Sequence, residues 1–213
     1  MRQLIGGLLL ILLFNACKSN HTRVLPTFGN GQPVTIMVNG QPVTDTVYPT
    51  IPPFKFVNQY GDSVGSKNLQ NDIYVADFFF TTCPSICPIM QRNMLAVYKA
   101  YKDTADVKIV SFTIDPKHDT APVLKKYADN LGISGNSWWM INGNRDSVYQ
   151  LAGNFLVGVK ADSATPGGYI HDGYFILIDK KKHIRGTYDG TDAKQVDQLI
   201  ADIKVLKTEP ATK

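Results

Sequence analysis

Cysteine is scarce in this chain, three residues among 213, and there are only two tryptophans and four histidines. So few cysteines exclude a disulfide-held scaffold, and the chain is long enough to fold around one sizeable apolar core instead. Long hydrophobic runs are also wanting: the apolar stretch from Leu4 to Phe14 falls short of the roughly 20 residues that an ordinary spanning helix needs. Charge of one sign is not concentrated. Lys and Arg total 22 against 18 Asp and Glu, and the net +4 is mild. No basic cluster coincides with aromatic platforms, which argues against nucleic acid as a partner. The apolar share of 44% with 19% charged residues excludes a generally disordered chain.

What is present begins with the layout of an export signal. "MRQLIGGLLLILLFNAC" has Arg2 near its start, an apolar run, and the small residue Ala16 directly before Cys17. Residues 1–16 are therefore set apart from fold reasoning. The placement of Cys17 resembles the processing site of bacterial lipoproteins, in which that cysteine carries the lipid. The expectation is an exported lipoprotein, anchored through Cys17 and facing the periplasm or the outside of the cytoplasmic membrane. Residues 17–50 are polar and rich in Pro, Gly, Thr and Asn, and they hold "NGQPVT" twice, at 30–35 and 39–44. They read as a lipid-attached tether with some local strand, or as a small Asn-Gly hairpin.

The compact domain is expected over 51–206, with 207–213 as a tail. "IYVADFFFT" (73–81), "VKIVSFTID" (107–115) and "GYFILID" (173–179) are near-continuous apolar runs, the pattern of strands covered on both faces. "HIRGTY" follows the third closely enough to pair with it. The basic run "DKKKHIR" (179–185) between them reads as a solvated turn. Met90, Met94, Val97, Tyr98 and Tyr101 repeat at helical spacing from Pro88 to about Lys102. "DTAPVLKKYADNLG" begins with an Asp or Thr cap and stops at Gly132. "NRDSVYQLAGNF" and 192–206 complete the helices. The adjacent Trp138 and Trp139 are expected to place at most one ring inward. The order of elements predicts an α/β fold, a thioredoxin-like sandwich with a central mixed sheet flanked by helices.

The chemistry concentrates at "FFFTTCPSICPIM" (78–90), where a buried strand runs into two cysteines four positions apart. Pro88 suits the first helical position, so the helix is expected to start there with Cys87 at its cap. Cys83 then lies in the preceding turn. The positive end of the helix favours thiolate at both. Thiolate binds a soft metal and also attacks a disulfide, so the pair alone leaves a metal clamp, a redox couple and a static disulfide open; the short loop makes the last least rewarding. His171 in "GGYIHDGYFILID" is a third candidate, brought over the first β–α junction by the loop before the third main strand. Two thiolates and an imidazole suit copper, Cu(I) and also Cu(II). His21, His118 and His183 read as solvated, and Met90 and Met94 as core.

"FFFTTCPSICPIM", "VSFTIDPKHDTAPVLKKYAD" and "YIHDGYFILID", in this order, resemble the Sco/SenC family of thioredoxin-like copper proteins linked to cytochrome c oxidase assembly. The likeness runs from about Ile51 to Leu206. It implies that Cys83 and Cys87 are metal-binding cysteines and His171 the third ligand, with Asp115, Pro116 and Asp119 bordering the site. It also implies a copper-accepting subunit of cytochrome c oxidase, or another extracytoplasmic copper protein, as partner. The chain departs from the family in having Ile170 before His171 and Asp172 after it, and Pro84-Ser85-Ile86 between the cysteines. Two functions follow. One is a copper chaperone working through Cys83, Cys87 and His171. The other is a thiol–disulfide oxidoreductase in which Cys83 and Cys87 are the redox pair. A peroxidase suits the paired prolines less well.

Overall fold

Asn39 and Gly40 both have positive φ (52° and 78°), the backbone that a two-residue hairpin turn needs. They join β1 (Gln32–Val38) to β2 (Gln41–Val47), so the repeated hexapeptide does form a hairpin. The structure is a computed structural model describing residues 23–209. The expected signal segment, Cys17, His21 and residues 210–213 lie outside the described residues. β3 (Lys55–Asn58) and β4 (Ser63–Gly65) follow around the Gly61-Asp62 turn. Then come β5 (Ile73–Phe79), α1 (Cys87–Tyr101), β6 (Val107–Thr113), α2 (Ala121–Asn130), β7 (Trp138–Asn142) and α3 (Arg145–Asn154). A short hairpin of β8 (Val159–Ala161) and β9 (Tyr169–His171) precedes β10 (Tyr174–Ile178), β11 (Ile184–Asp189) and α4 (Ala193–Thr208).

Seven strands form one mixed sheet in the order β11-β10-β5-β6-β7-β3-β4. β5, β6 and β7 are parallel to one another, with helical crossovers, and β10 runs antiparallel to β5. Side chains alternate across a strand, so each central strand feeds two cores. Phe78, Phe112 and the Phe155 ring that follows α3 meet on one face, with centroids 5.0–5.7 Å apart. On the other, Phe79 reaches Tyr127 of α2 and Trp138 reaches Tyr98 of α1. Met90 and Met94 are fully buried in α1, as their helical stripe requires. This is the thioredoxin-like sandwich, with the β5–α1 junction at the carboxyl end of a central strand.

Four local expectations change. Trp138 and Trp139 are both buried, because β7 lies between β6 and β3 and is covered on both faces. Ile86, not Cys87, is the cap of α1; the helix starts one residue earlier, with Cys87 first and Pro88 second. A proline is tolerated throughout that first turn, where no N–H has a helical partner. Leu25 belongs to the core, and Phe28 bridges to Ile184; residues 23–28 therefore lie against the domain. The basic run is more than a solvated turn. Lys182 reaches the Leu69 carbonyl. Arg185 pairs with Asp179 (3.0 Å) and with Glu209 (2.8 Å), the sole glutamate of the chain, and donates to the Leu25 and Pro26 carbonyls.

Candidate metal centre

Two loops converge on the carboxyl end of β5. The first, Phe80 to Ile86, carries Cys83, which the N–H of Cys83 ties back to the Phe80 carbonyl (3.2 Å). The second is the β8–β9 hairpin, which ends in His171. Gly167 has φ +88°, and any Cβ there would come within 3.0 Å of Phe80 and Pro84; glycine alone allows this approach. Gly173 similarly lets the chain after His171 pass Ile86, whose Cδ1 would lie 3.3 Å from an added Cβ.

The two sulfurs and one ring nitrogen of His171 all lie within 4.8 Å of one another. Cys87 Sγ is 3.2 Å from His171 Nε2. The other ring nitrogen, Nδ1, sits 3.2 Å from the Asp172 carbonyl. The hydrogen-bond network therefore assigns Nδ1–H as donor and leaves the Nε2 lone pair facing the thiols, the arrangement typical of a ligating imidazole. Burial holds the His171 pKa below its ordinary value, which keeps the ring neutral and able to ligate. Phe80 lies edge-on to both the His171 and Tyr169 rings, 6.0 and 5.1 Å away.

The two free thiols differ. Burial raises that of Cys83. Hydrogen bonds from the Cys87 thiol, the Ser85 and Cys87 N–H groups and the Ser85 hydroxyl outweigh it, and the net pKa is lowered. Burial pushes the Cys87 thiol well up, reinforced by its hydrogen bond to Cys83 and the nearby Cys83 and Asp77 charges. Cys83 is thus the readier thiolate and Cys87 the protected partner.

Two buried carboxylates brace the junction; the resemblance placed Asp119 at the border of the site, and its bracing contacts and those of Asp77 come from the fold. Asp119, fully buried, accepts from the Thr81 N–H (3.0 Å), the Thr81 hydroxyl and the Thr113 hydroxyl (2.5 Å), fixing the start of the cysteine loop. His118 is half exposed, as expected, yet its Nδ1 lies 2.9 Å from Asp119. Asp77 accepts from Gln91 of α1 (2.8 Å) and from Ser111, which itself accepts from Trp138 Nε1 (2.9 Å). A lone charge in an apolar strand was the only signal for it. Burial raises its pKa to about 6 against the pull of the Ser111 and Gln91 hydrogen bonds. Asp115 stands by Tyr169; burial and that neighbour push the tyrosine up to about 12. His183 lies away from the site, in the β10–β11 turn, where its Nδ1 faces Asp179 at 3.7 Å.

A thioredoxin-like sandwich with two thiols and an imidazole gathered at its first β–α junction defines a class of proteins whose donor set fits a soft metal. Comparison with known proteins makes the class specific. The SCO1/SenC family profile matches residues 43–208, and the chain belongs to that family. It is 33% identical over 174 residues to the SCO1 protein homolog of Bacillus subtilis, covering 79% of this chain and 89% of that one. Among solved structures it resembles a SCO1/SenC family lipoprotein from Bacillus anthracis, with 30% identity, TM-score 0.68, and 74% and 95% of the two chains covered. It also resembles BsSco, described as a Sco-family cytochrome c oxidase assembly protein with a disulfide switch. There the identity is 33%, the TM-score 0.66 and the coverage 75% and 94%.

Proposed function

We propose that the protein carries copper as cargo between Cys83, Cys87 and His171 and hands it to an extracytoplasmic acceptor during assembly of the copper centre of cytochrome c oxidase. The observation that carries this reading is the convergence of three soft or borderline donors within 4.8 Å of one another. Thiolates select Cu(I), and the neutral imidazole widens the donor set toward Cu(II). Cys83 and Cys87 hold the cargo, and His171, borne on a short hairpin, releases first. Ligand exchange then proceeds sulfur by sulfur to the acceptor. Residues 1–16 act as the export signal and Cys17 carries the lipid; of the expected tether (17–50), Leu25 and Phe28 pack against the domain of 51–206, and α4 continues into the expected tail as far as Thr208. The lipoprotein character of the Bacillus anthracis relative supports this placement. Among the described residues, no helix is long and apolar enough to cross a membrane.

Copper titration of the reduced chain tests the proposal, with C17S as background so that only Cys83 and Cys87 remain as thiols. One copper per chain is expected, lost in C83A and in C87A. H171A should weaken retention by at least about 10-fold, the least that outer-shell partners of a metal cost. No binding by the reduced chain, or unchanged affinity in H171A for both oxidation states, rejects the three-donor centre.

A second reading has its own observation, the unequal thiols. Cys83 as thiolate attacks a substrate disulfide and expels one substrate thiol. Cys87 then attacks the mixed disulfide, expels the second thiol, and leaves Cys83–Cys87 oxidised. The disulfide switch named for BsSco is in keeping with that chemistry.

A further inference from the structure

The β8–β9 hairpin is a two-stranded sheet, with Val159 opposite His171, Lys160 opposite Ile170 and Ala161 opposite Tyr169. Just beyond its ends, Asp162 N–H donates to Gly168 O (2.9 Å) and Asp172 N–H to Gly158 O (3.0 Å). Hydrogen-bonded and non-bonded pairs alternate along an antiparallel ladder. Residues 168, 170 and 172 therefore bond inward to β8, while Tyr169 and His171 turn their N–H and C=O groups to the opposite edge. The Tyr169 carbonyl there takes only a long bond from the Thr165 hydroxyl (3.4 Å). The Tyr169 N–H and both main-chain groups of His171 meet no partner among the described residues. Elsewhere, Phe28 bridges to Ile184 at the start of the outer edge of β11.

A groove of about 280 Å³ runs between Cys83, Ser85 and Ile86 on one side and Pro166, Tyr169 and His171 on the other. Phe80, Thr165 and Ile170 complete the lining, and no residue of β8 contributes to it. No charged residue lines it either. Ile170 of the lining is 47% exposed, and Tyr174 outside it 43%. Cys83 opens onto the groove and is the more exposed thiol, 8% against 1% for Cys87.

We propose that the free edge of β9 is a docking strand: an extended, uncharged segment of the partner pairs with the main chain of Tyr169 and His171 and lays its own cysteine against Cys83. This rests on the reading above that a partner cysteine must reach Cys83, and it names how the partner is held. Main-chain pairing to an edge strand supplies affinity with little demand on side-chain identity, and the groove supplies the choice. A charged residue beside the partner's cysteine is disfavoured, because the groove offers it no counter-charge on desolvation. The docked geometry also sets the incoming sulfur beside Cys83 and His171 while Cys87 stays covered.

The test uses the C17S/C87A chain, in which Cys83 is the sole thiol, and synthetic uncharged peptides whose one cysteine is activated as a thionitrobenzoate disulfide. The Cys83 thiolate attacks the peptide sulfur, the mixed disulfide forms, and the coloured thionitrobenzoate anion leaves. N-methylating the two alternate amides that face β9 should slow this reaction about 10-fold, the loss of two net hydrogen bonds. N-methylating the intervening amides, which face solvent, should leave it unchanged. Equal rates for all peptides overturn the docking strand. In that case copper binding stands untouched. A Cys83 inert to every disulfide overturns both the docking strand and the partner-exchange reading beneath it.

Discussion

The two ends of the central sheet are built on opposite terms. At the carboxyl end of β5, two thiols and an imidazole sit among Phe80, Ile86, Pro166 and Tyr169, with no charged residue lining the groove beside them. At the other end, charges are dense and paired. Asp106 holds Lys180 (2.9 Å) and Lys207 (2.5 Å), and Arg185 holds Asp179 and Glu209. Arg185 also grips the Leu25 and Pro26 carbonyls, so the incoming chain, the β10–β11 turn and the end of α4 are fastened at one guanidinium. One end is secured by ion pairs whose partners are all internal. The other gathers two thiols and an imidazole that bond among themselves and their own loops and can turn to an outside ligand.

The contrast can be broken most strongly at Arg185. Both its carboxylate partners are about nine-tenths covered, and removing one side of a buried pair leaves uncompensated charge. Arg185→Ala should cost about 3 kcal/mol or more in chemical denaturation, while copper stoichiometry stays at one; loss of copper binding in a folded variant would show that the ends are not independent.

Asp77 sharpens the comparison from the site end, where a charge is buried without a cation. Its folded pKa of about 6 lies above the ordinary 3.8 of an aspartate, so the folded state holds the proton more tightly between those values. Its contribution favours folding below about 3.8 and is lost as pH rises through about 6. Asp77→Asn should therefore stabilise the protein at pH 7 by about 1–3 kcal/mol, and flatten that pH dependence of denaturation. No gain at pH 7 would mean that the Ser111 and Gln91 hydrogen bonds repay the burial in full.

The smallest effect belongs to Asp106, whose side chain is one-third exposed. The hydrogen bond from Lys207, then that from Lys180, lowers its pKa to about 2 despite partial burial. This stabilisation is present above about 3.8 and fades as pH falls through about 2. Solvent screens the pair, so Asp106→Asn should cost less than about 1 kcal/mol, and added salt should shrink the difference further. A cost as large as that of Arg185→Ala would place the anchoring of this end at Asp106 instead.

Much of this was legible in the sequence for a physical reason. Strands covered on both faces must be apolar throughout, so β5, β6 and β10 announce themselves, and thiols beside a helix start narrow the chemistry to a few readings. His171 came from its place before β10 and from family resemblance. What stayed hidden depends on partners distant in the chain. Asp119 becomes a brace only when Thr81, 38 residues earlier, folds onto it. Both tryptophans can be inside only because β3 pairs with the far edge of β7. Leu25 in a polar segment carries no periodicity; it is core because Arg185, 160 positions on, holds its carbonyl.

The fastening at Arg185 fixes which way the protein looks. β10 runs antiparallel to β5, pairing Ile178 with Tyr74, so the turn that receives residues 25–28 lies by the start of β5 and the metal donors lie past its finish. A strand of seven residues spans roughly 20 Å at about 3.3 Å per residue. The described chain enters the fold at the rear of the sheet, through residues 25–28, and the sulfurs are presented at the front, the length of a strand away.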